Sequence, residues 1–210
     1  MQRMDVVVFG SIAMDLIATV PTHPKKNTTM AALQLETKNG GKGANEAVAV
    51  ARLGIKVRMV GRVKNDLFGK SLCLNLRKDG IDIEGVVVDN SPESESTGMS
   101  MIISSNDKSG KNTIACLGAN QMCGKAELAI ASRFMRRCPE IGIVLMQNEI
   151  THNAIVRMAR LGHNSRKLVV FKASPIRAAT DISTKLYPKI DVLVVNEYEA
   201  PILLLSLIHI

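Results

Sequence analysis

The chain has no tryptophan, and aromatic residues of every kind make up only 3% of its 210 positions. So few rings leave little to stack on nucleic-acid bases. The core must therefore be built from Val, Ile, Leu, Ala and Met. The four cysteines, Cys73, Cys116, Cys123 and Cys138, form no C-x-x-C pair, which argues against a zinc site. Three of them sit in apolar patterns and are expected to be buried thiols, with Cys123 in a turn. His23, His152, His163 and His209 are isolated and show no metal-ligand spacing. The longest apolar run, "PILLLSLIHI", is too short for a bilayer, which takes about 20 residues. "MQRMDVVVFG" lacks the marks of a signal peptide, so a cytoplasmic, reducing setting is expected.

What is present is a chain rich enough in apolar residues, at 46%, for a packed fold. The net charge is +8, yet Lys and Arg are scattered. The densest cluster, Arg133, Arg136 and Arg137, falls at an expected helix end, where cations favour the dipole. The charge suits anionic small molecules better than nucleic acid.

The elements alternate. Strands are expected at Val6–Phe9, Val57–Val63, Val86–Val88, Ile141–Met146, Leu168–Phe171 and Val192–Val195. Helices are expected at Ala44–Leu53, buried on most sides, from Asp66 to about Asp79, and at Lys125–Arg137 with an apolar face at Leu128, Ala129 and Phe134. Further helices are expected at Asn153–Leu161 and near Asp181–Tyr187. That order predicts an α/β fold with a mostly parallel sheet covered on both faces. Strands at Ile17–Val20 and Met30–Leu35, and a hairpin of Gly98–Ile103 with Asn112–Cys116, interrupt the alternation. They predict a small projecting β-sheet, a lid.

One stretch combines both kinds of signal. In "NGGKGANEAVAVARLG" (39–54) glycines precede an apolar-periodic helix that Gly54 can end. Gly40, Gly41 and Gly43 have no side chains to shield first-turn N–H groups, so a ligand with hydroxyls or phosphate oxygens could reach them. The glycines alone fit equally well a connection that lets helix and strand pack closely. In open α/β sheets ligands bind at the carboxyl ends of strands. Ser11 and Asp15 follow the first strand, Glu149 follows Ile141–Met146, and Asn196 and Glu199 follow Val192–Val195.

With these residues in view the sequence resembles the ribokinase (PfkB-type) family of carbohydrate kinases. The matching stretches are "VVVFGSIAMDL", "GGKGANEAVAVARLG", "MVGRVKNDLFGKSL", "CLGAN", "LMQNEI" and "VLVVNEYEA". The resemblance implies a Rossmann-type ribokinase-like fold whose lid strands span about 16–36 and 97–117. It implies that Asp15, Gly41, Lys42, Gly43, Asn45 and Glu149 bind the sugar, that Asn196 serves the nucleotide, and that Glu199 serves the metal. The implied reaction is ATP-dependent phosphorylation of D-ribose to ribose 5-phosphate. ATP and Mg2+ are the implied cofactors, with K+ as a monovalent cation in the complete protein. A homodimer through the lid is expected of that complete protein. Another sugar or nucleoside kinase of the family, or a non-catalytic sugar-binding protein, are the alternatives.

The sequence departs from the pattern in three places. Ala13 stands where the family usually has Asn. Lys172, in "FKASP", stands where a neutral Asn is typical; it suits either a phosphate or a neighbouring acid. The family's Gly-Ala-Gly-Asp motif, which carries the catalytic base, has no counterpart, for no Gly-Asp dipeptide occurs anywhere. Residues 1–200 are therefore expected to form an incomplete kinase domain without catalysis. Residues 201–210 are expected to be a non-native tail, since "LSLIHI" matches the translation of a common sequencing adapter.

Overall fold

The computed structural model describes residues 4–93, 96–106, 111–176, 182 and 184–208. Its main sheet has six parallel strands. These are β1 (Asp5–Phe9), β4 (Val57–Lys64), β5 (Asp82–Asp89), β8 (Ile141–Gln147), β9 (Leu168–Lys172) and β10 (Val192–Val194), in the order β10-β9-β8-β1-β4-β5. Val6 and Val8 of β1 face one core, and Val7 and Phe9 the other. A strand buried on both faces has to be apolar throughout, which is why "DVVVF" reads as a continuous run. Helices α1 (Lys42–Arg52) and α2 (Leu67–Lys78) cover the first face through Ala44, Ala47, Leu72 and Leu76. Helices α3 (Lys125–Arg137) and α4 (His152–Asn164) cover the second through Ala131, Phe134, Ile155 and Met158, joined by Leu203 of α5 (Glu199–Ile208).

A second, four-stranded sheet is mixed. Its order is β3-β2-β6-β7, from β2 (Ala13–Val20), β3 (Gln34–Gly40), β6 (Gly98–Ser105) and β7 (Lys111–Cys116). β2 runs antiparallel to β3 and parallel to β6, and β6 antiparallel to β7.

Several sequence expectations need correction. The strand expected at Met30–Leu35 begins only at Gln34 and runs to Gly40. Its position is dictated by antiparallel register with β2, from Thr19↔Gln34 to Ala13↔Gly40. As an edge strand it tolerates the polar sequence "QLETKNG". Helix α1 starts at Lys42 and buries one face only, through Gly43, Ala44 and Ala47, while Leu53 just beyond it is 76% exposed. On α3 the buried set is Glu127, Ala131, Phe134 and Met135, and Ala129 points outward. Glu127 is accommodated because it accepts hydrogen bonds from Arg62 Nε and Gly124 N–H, both at 2.7 Å. Among the cysteines Cys123 is the buried one, Cys116 is exposed, and Cys73 and Cys138 are intermediate. Much of the helix expected near Asp181–Tyr187 falls outside the described residues. From residue 184 the chain makes a turn and then a short 3-10 segment, Tyr187–Lys189. No helix of the described residues is long and apolar enough to cross a membrane.

Candidate functional site

The carboxyl ends of β1 and β8, the start of α1 and one face of the second sheet enclose a cavity of about 480 Å³. Asp15, Gly41, Lys42, Asn45 and Glu149 line it, joined by Ser100, Ile102 and Thr113. The period-two geometry of strands explains the second sheet's share. Asp15 and Ile17 on β2 stand in register with Ser100 and Ile102 on β6, and Ser100 and Ile102 with Ala115 and Thr113 on β7.

Glu149 is held by three donors. Ser11 Oγ donates to its Oε2 at 2.6 Å, Lys42 N–H to the same oxygen at 2.9 Å, and Lys42 Nζ reaches Oε1 at 2.5 Å. Ser11 is buried and also accepts, from Gly43 N–H to its Oγ at 3.3 Å and from Ala44 N–H to its carbonyl at 2.9 Å. The first-turn N–H groups from Lys42 to Ala44, which the sequence suggested were open to a ligand, are thus taken within the protein. The glycines answer the need for close packing. A Cβ on Gly43 would lie 2.7 Å from the Ser11 nitrogen, and Gly41 adopts a φ of 87° against Ser11–Ala13. Gly43 lies behind the cavity wall, while Lys42 and Asn45 face the cavity.

Burial lifts the Asp15 carboxyl above its ordinary value. A hydrogen bond with Ser100 opposes the rise, the nearby charge of Glu149 adds to it, and Lys42 opposes it. A second layer lies beyond Glu149. Gln147 donates from Nε2 to Glu46 Oε2 at 2.5 Å, and Lys172 stands beside Gln147 in register on β9. Burial lifts the Glu46 carboxyl too, with the Gln147 hydrogen bond and the Lys172 charge working against it. Lys172 therefore does have an acid for a neighbour. Sequence reasoning did not select Glu46 and Gln147; the signal available was that Glu46 follows Asn45 directly and Gln147 lies two residues before Glu149.

Asn196 and Glu199 are not in this cavity. They form a reciprocal cap at the start of α5: Asn196 Oδ1 accepts from Glu199 N–H at 2.8 Å, and Glu199 Oε2 accepts from Asn196 N–H at 3.2 Å. Glu199 is 6% exposed. Among the described residues no group of three or more His, Cys, Asp or Glu could hold a metal ion. If magnesium is used here, Glu199 can offer it a single carboxylate. That is chemically adequate for an ion that keeps several of its waters.

A doubly covered parallel sheet, with a polar cavity at its carboxyl edge roofed by a small sheet, defines an α/β protein built to enclose a small polar molecule. The chain matches the pfkB family of carbohydrate kinases over residues 3–207 and belongs to that family. It is similar to the ribokinase of Schizosaccharomyces pombe, 34% identical over an alignment 208 positions long that covers 96% of this chain and 62% of that one. It is also similar to the deoxyribokinase of Salmonella typhimurium, 29% identical over 200 residues, 95% of this chain and 62% of that one. The chain thus spans about three-fifths of the length of these curated relatives. Among solved structures, the ribokinase of Thermotoga maritima is 29% identical with a TM-score of 0.76, covering 93% of this chain and 60% of that one. The Arabidopsis thaliana ribokinase complexed with ribose and ATP is 28% identical with a TM-score of 0.74, covering 93% and 61%.

Proposed function

We propose that this chain carries the sugar-binding half of an ATP-dependent kinase that phosphorylates D-ribose at its terminal hydroxyl, giving ribose 5-phosphate. The observation that carries the reading is the convergence of Asp15, Lys42, Asn45 and Glu149 on one cavity. Asp15 accepts sugar hydroxyls as a carboxylate. Asn45 both donates and accepts, as a hydroxyl requires of its partner. Lys42 and Glu149 neutralise each other, so the cavity wall is polar without a large net charge. Gly41 and Gly43 let α1 approach β1 closely enough to bring Lys42 and Asn45 to the sugar.

ATP supplies the phosphoryl group and magnesium neutralises its oxygens. Asn196 is assigned to the nucleotide side and Glu199 to the metal, through water. K+ is the monovalent cation expected of the complete protein. The 210 residues contain no Gly-Asp dipeptide, so the family's catalytic base is not among them, and binding without transfer is expected of this chain. The second sheet serves as the lid. Its outer face carries Leu35, Met101 and Ile114, exposed by 72, 53 and 60%, which supports pairing of two lids in a homodimer of the complete protein.

Calorimetric titration with D-ribose, 2-deoxyribose, fructose and adenosine tests the assignment. The reading requires ribose to bind at a site lost in Asp15→Asn. Preference for 2-deoxyribose is the second reading; Ala13, in place of the usual Asn, and the deoxyribokinase relative favour it. Absence of binding by any of the four overturns both.

A further inference from the structure

The two sheets are joined by four passages of chain, and these meet at one point. Residues 10–12 lead into β2, Gly40–Gly41 return from β3, Gly98 opens β6, and residues 117–120 leave β7. Asn120, 1% exposed, sits at the centre. Its Oδ1 accepts the Ile12 N–H at 3.0 Å and its Nδ2 donates to the Ile12 carbonyl at 2.9 Å. One side chain thus gives Ile12 the donor and acceptor that a neighbouring strand would give it across a β-bridge. The packing there leaves no slack. A Cβ on Gly98 would lie 2.2 Å from Asn120 Nδ2, and one on Gly41 would lie 2.8 Å from the Ala13 nitrogen.

Ile12, buried in the core, lies along the chain between the residue that holds Glu149 and the strand that carries Asp15. Ser11, one residue before it, fixes Glu149 on the main sheet's side. Asp15, three residues after it, belongs to the second sheet. We propose that Asn120 is a positioning residue for the sugar site. By clamping Ile12 it sets the spacing between the Glu149 wall and the Asp15 wall, and so lets the second sheet sense a sugar bound at α1. This rests on the sugar-binding reading above.

The test uses the 210-residue chain with Asn120→Ser, which shortens the side chain away from Ile12. A second variant, Gly98→Ala, pushes the amide from the far side while leaving Asn120 in place. D-Ribose affinity is measured by calorimetry, and amide hydrogen exchange is measured with and without ribose. Both variants should lose at least tenfold in ribose affinity, and the Ile12 amide should exchange faster. Ribose should still slow exchange at residues 42–45 but no longer at residues 13–17. A purely structural role would lower the melting temperature yet leave the affinity of the folded protein and its ribose-dependent protection at residues 13–17 unchanged; that result overturns the proposal. Failure of the unsubstituted chain to bind ribose would instead overturn the functional reading. An Ile12 amide that exchanges equally fast in chain and variants would then dispose of the clamp as well.

Discussion

Ser11 and Glu149, 138 residues apart in sequence, meet at 2.6 Å with the serine hydroxyl donating to the carboxylate. The bond ties the exit of β1 to the exit of β8 and sets Glu149 against the start of α1. In Ser11→Ala, Glu149 keeps Lys42 but loses its hydroxyl donor, and Gly43 N–H loses its acceptor. Ribose affinity should fall by about fivefold, matching a net loss of about 1 kcal/mol for one hydrogen bond. Calorimetry on the two proteins checks this, and equal affinities would remove Ser11 from the site.

Asp15 gives a pH test with a definite sign. Its folded-state carboxyl is raised above the ordinary 3.8, chiefly by burial. Between the ordinary and the raised value the folded protein holds more protons than the unfolded one. Stability therefore falls as pH rises through that window. Asp15→Asn removes the burden of burying the charge. Its melting temperature should exceed that of the unsubstituted protein at neutral pH, and the gap should close as the pH is lowered through the window. Ribose binding should be lost in the same variant. Thermal melts between pH 3 and 8, with ribose titrations at pH 7, check both halves.

Ala13 is flanked in register by Gly40 on β3 and Gly98 on β6, so no side chain stands beside it on either strand. An asparagine here can add a hydrogen bond to the sugar. Ala13→Asn should strengthen ribose binding by about 0.5–1.5 kcal/mol, up to about tenfold. A titration in which Ala13→Asn makes no difference would refute this prediction.

Asp66 caps α2 by accepting Gly69 N–H at 2.7 Å, and the same carboxylate accepts Thr97 N–H at 2.8 Å and Thr97 Oγ1 at 2.7 Å. Burial opposes its charge, yet these bonds outweigh burial and hold the carboxyl below its ordinary value. Asp66→Ala should cost about 2 kcal/mol, the upper end for a helix cap, read as a lower urea midpoint. Because the folded value is depressed, this contribution is complete above the ordinary value of 3.8 and is lost as the pH falls toward the folded one. The two proteins should therefore converge in acid.

The parts of the fold that obey one local rule were legible in the sequence. The bounds of α3, the Asp66 cap and the hairpin of β6 and β7 follow from periodicity, capping and turn chemistry. β3 was misplaced because an edge strand takes its register from its neighbour rather than from its own hydrophobicity. The glycines of 40–43 posed a sharper problem. Composition left open whether they bare the backbone to a ligand or let two segments touch, and only the position of Ser11 decides for contact. Asn120 and Gln147 sat unremarked in "CLGAN" and "LMQNEI", because their partners Ile12 and Glu46 are more than a hundred residues away. No pattern in a short window could have announced those pairings.

β10 ends the six-stranded sheet with three residues only, and Val192, Leu193 and Val194 are each 37–42% exposed. One row of its peptide groups pairs with β9, and no described strand pairs with the other. An apolar border of this kind recruits whatever extended segment it encounters, including one from an identical molecule. Self-association that rises with concentration is therefore expected at this margin, away from the residues that line the polar cavity.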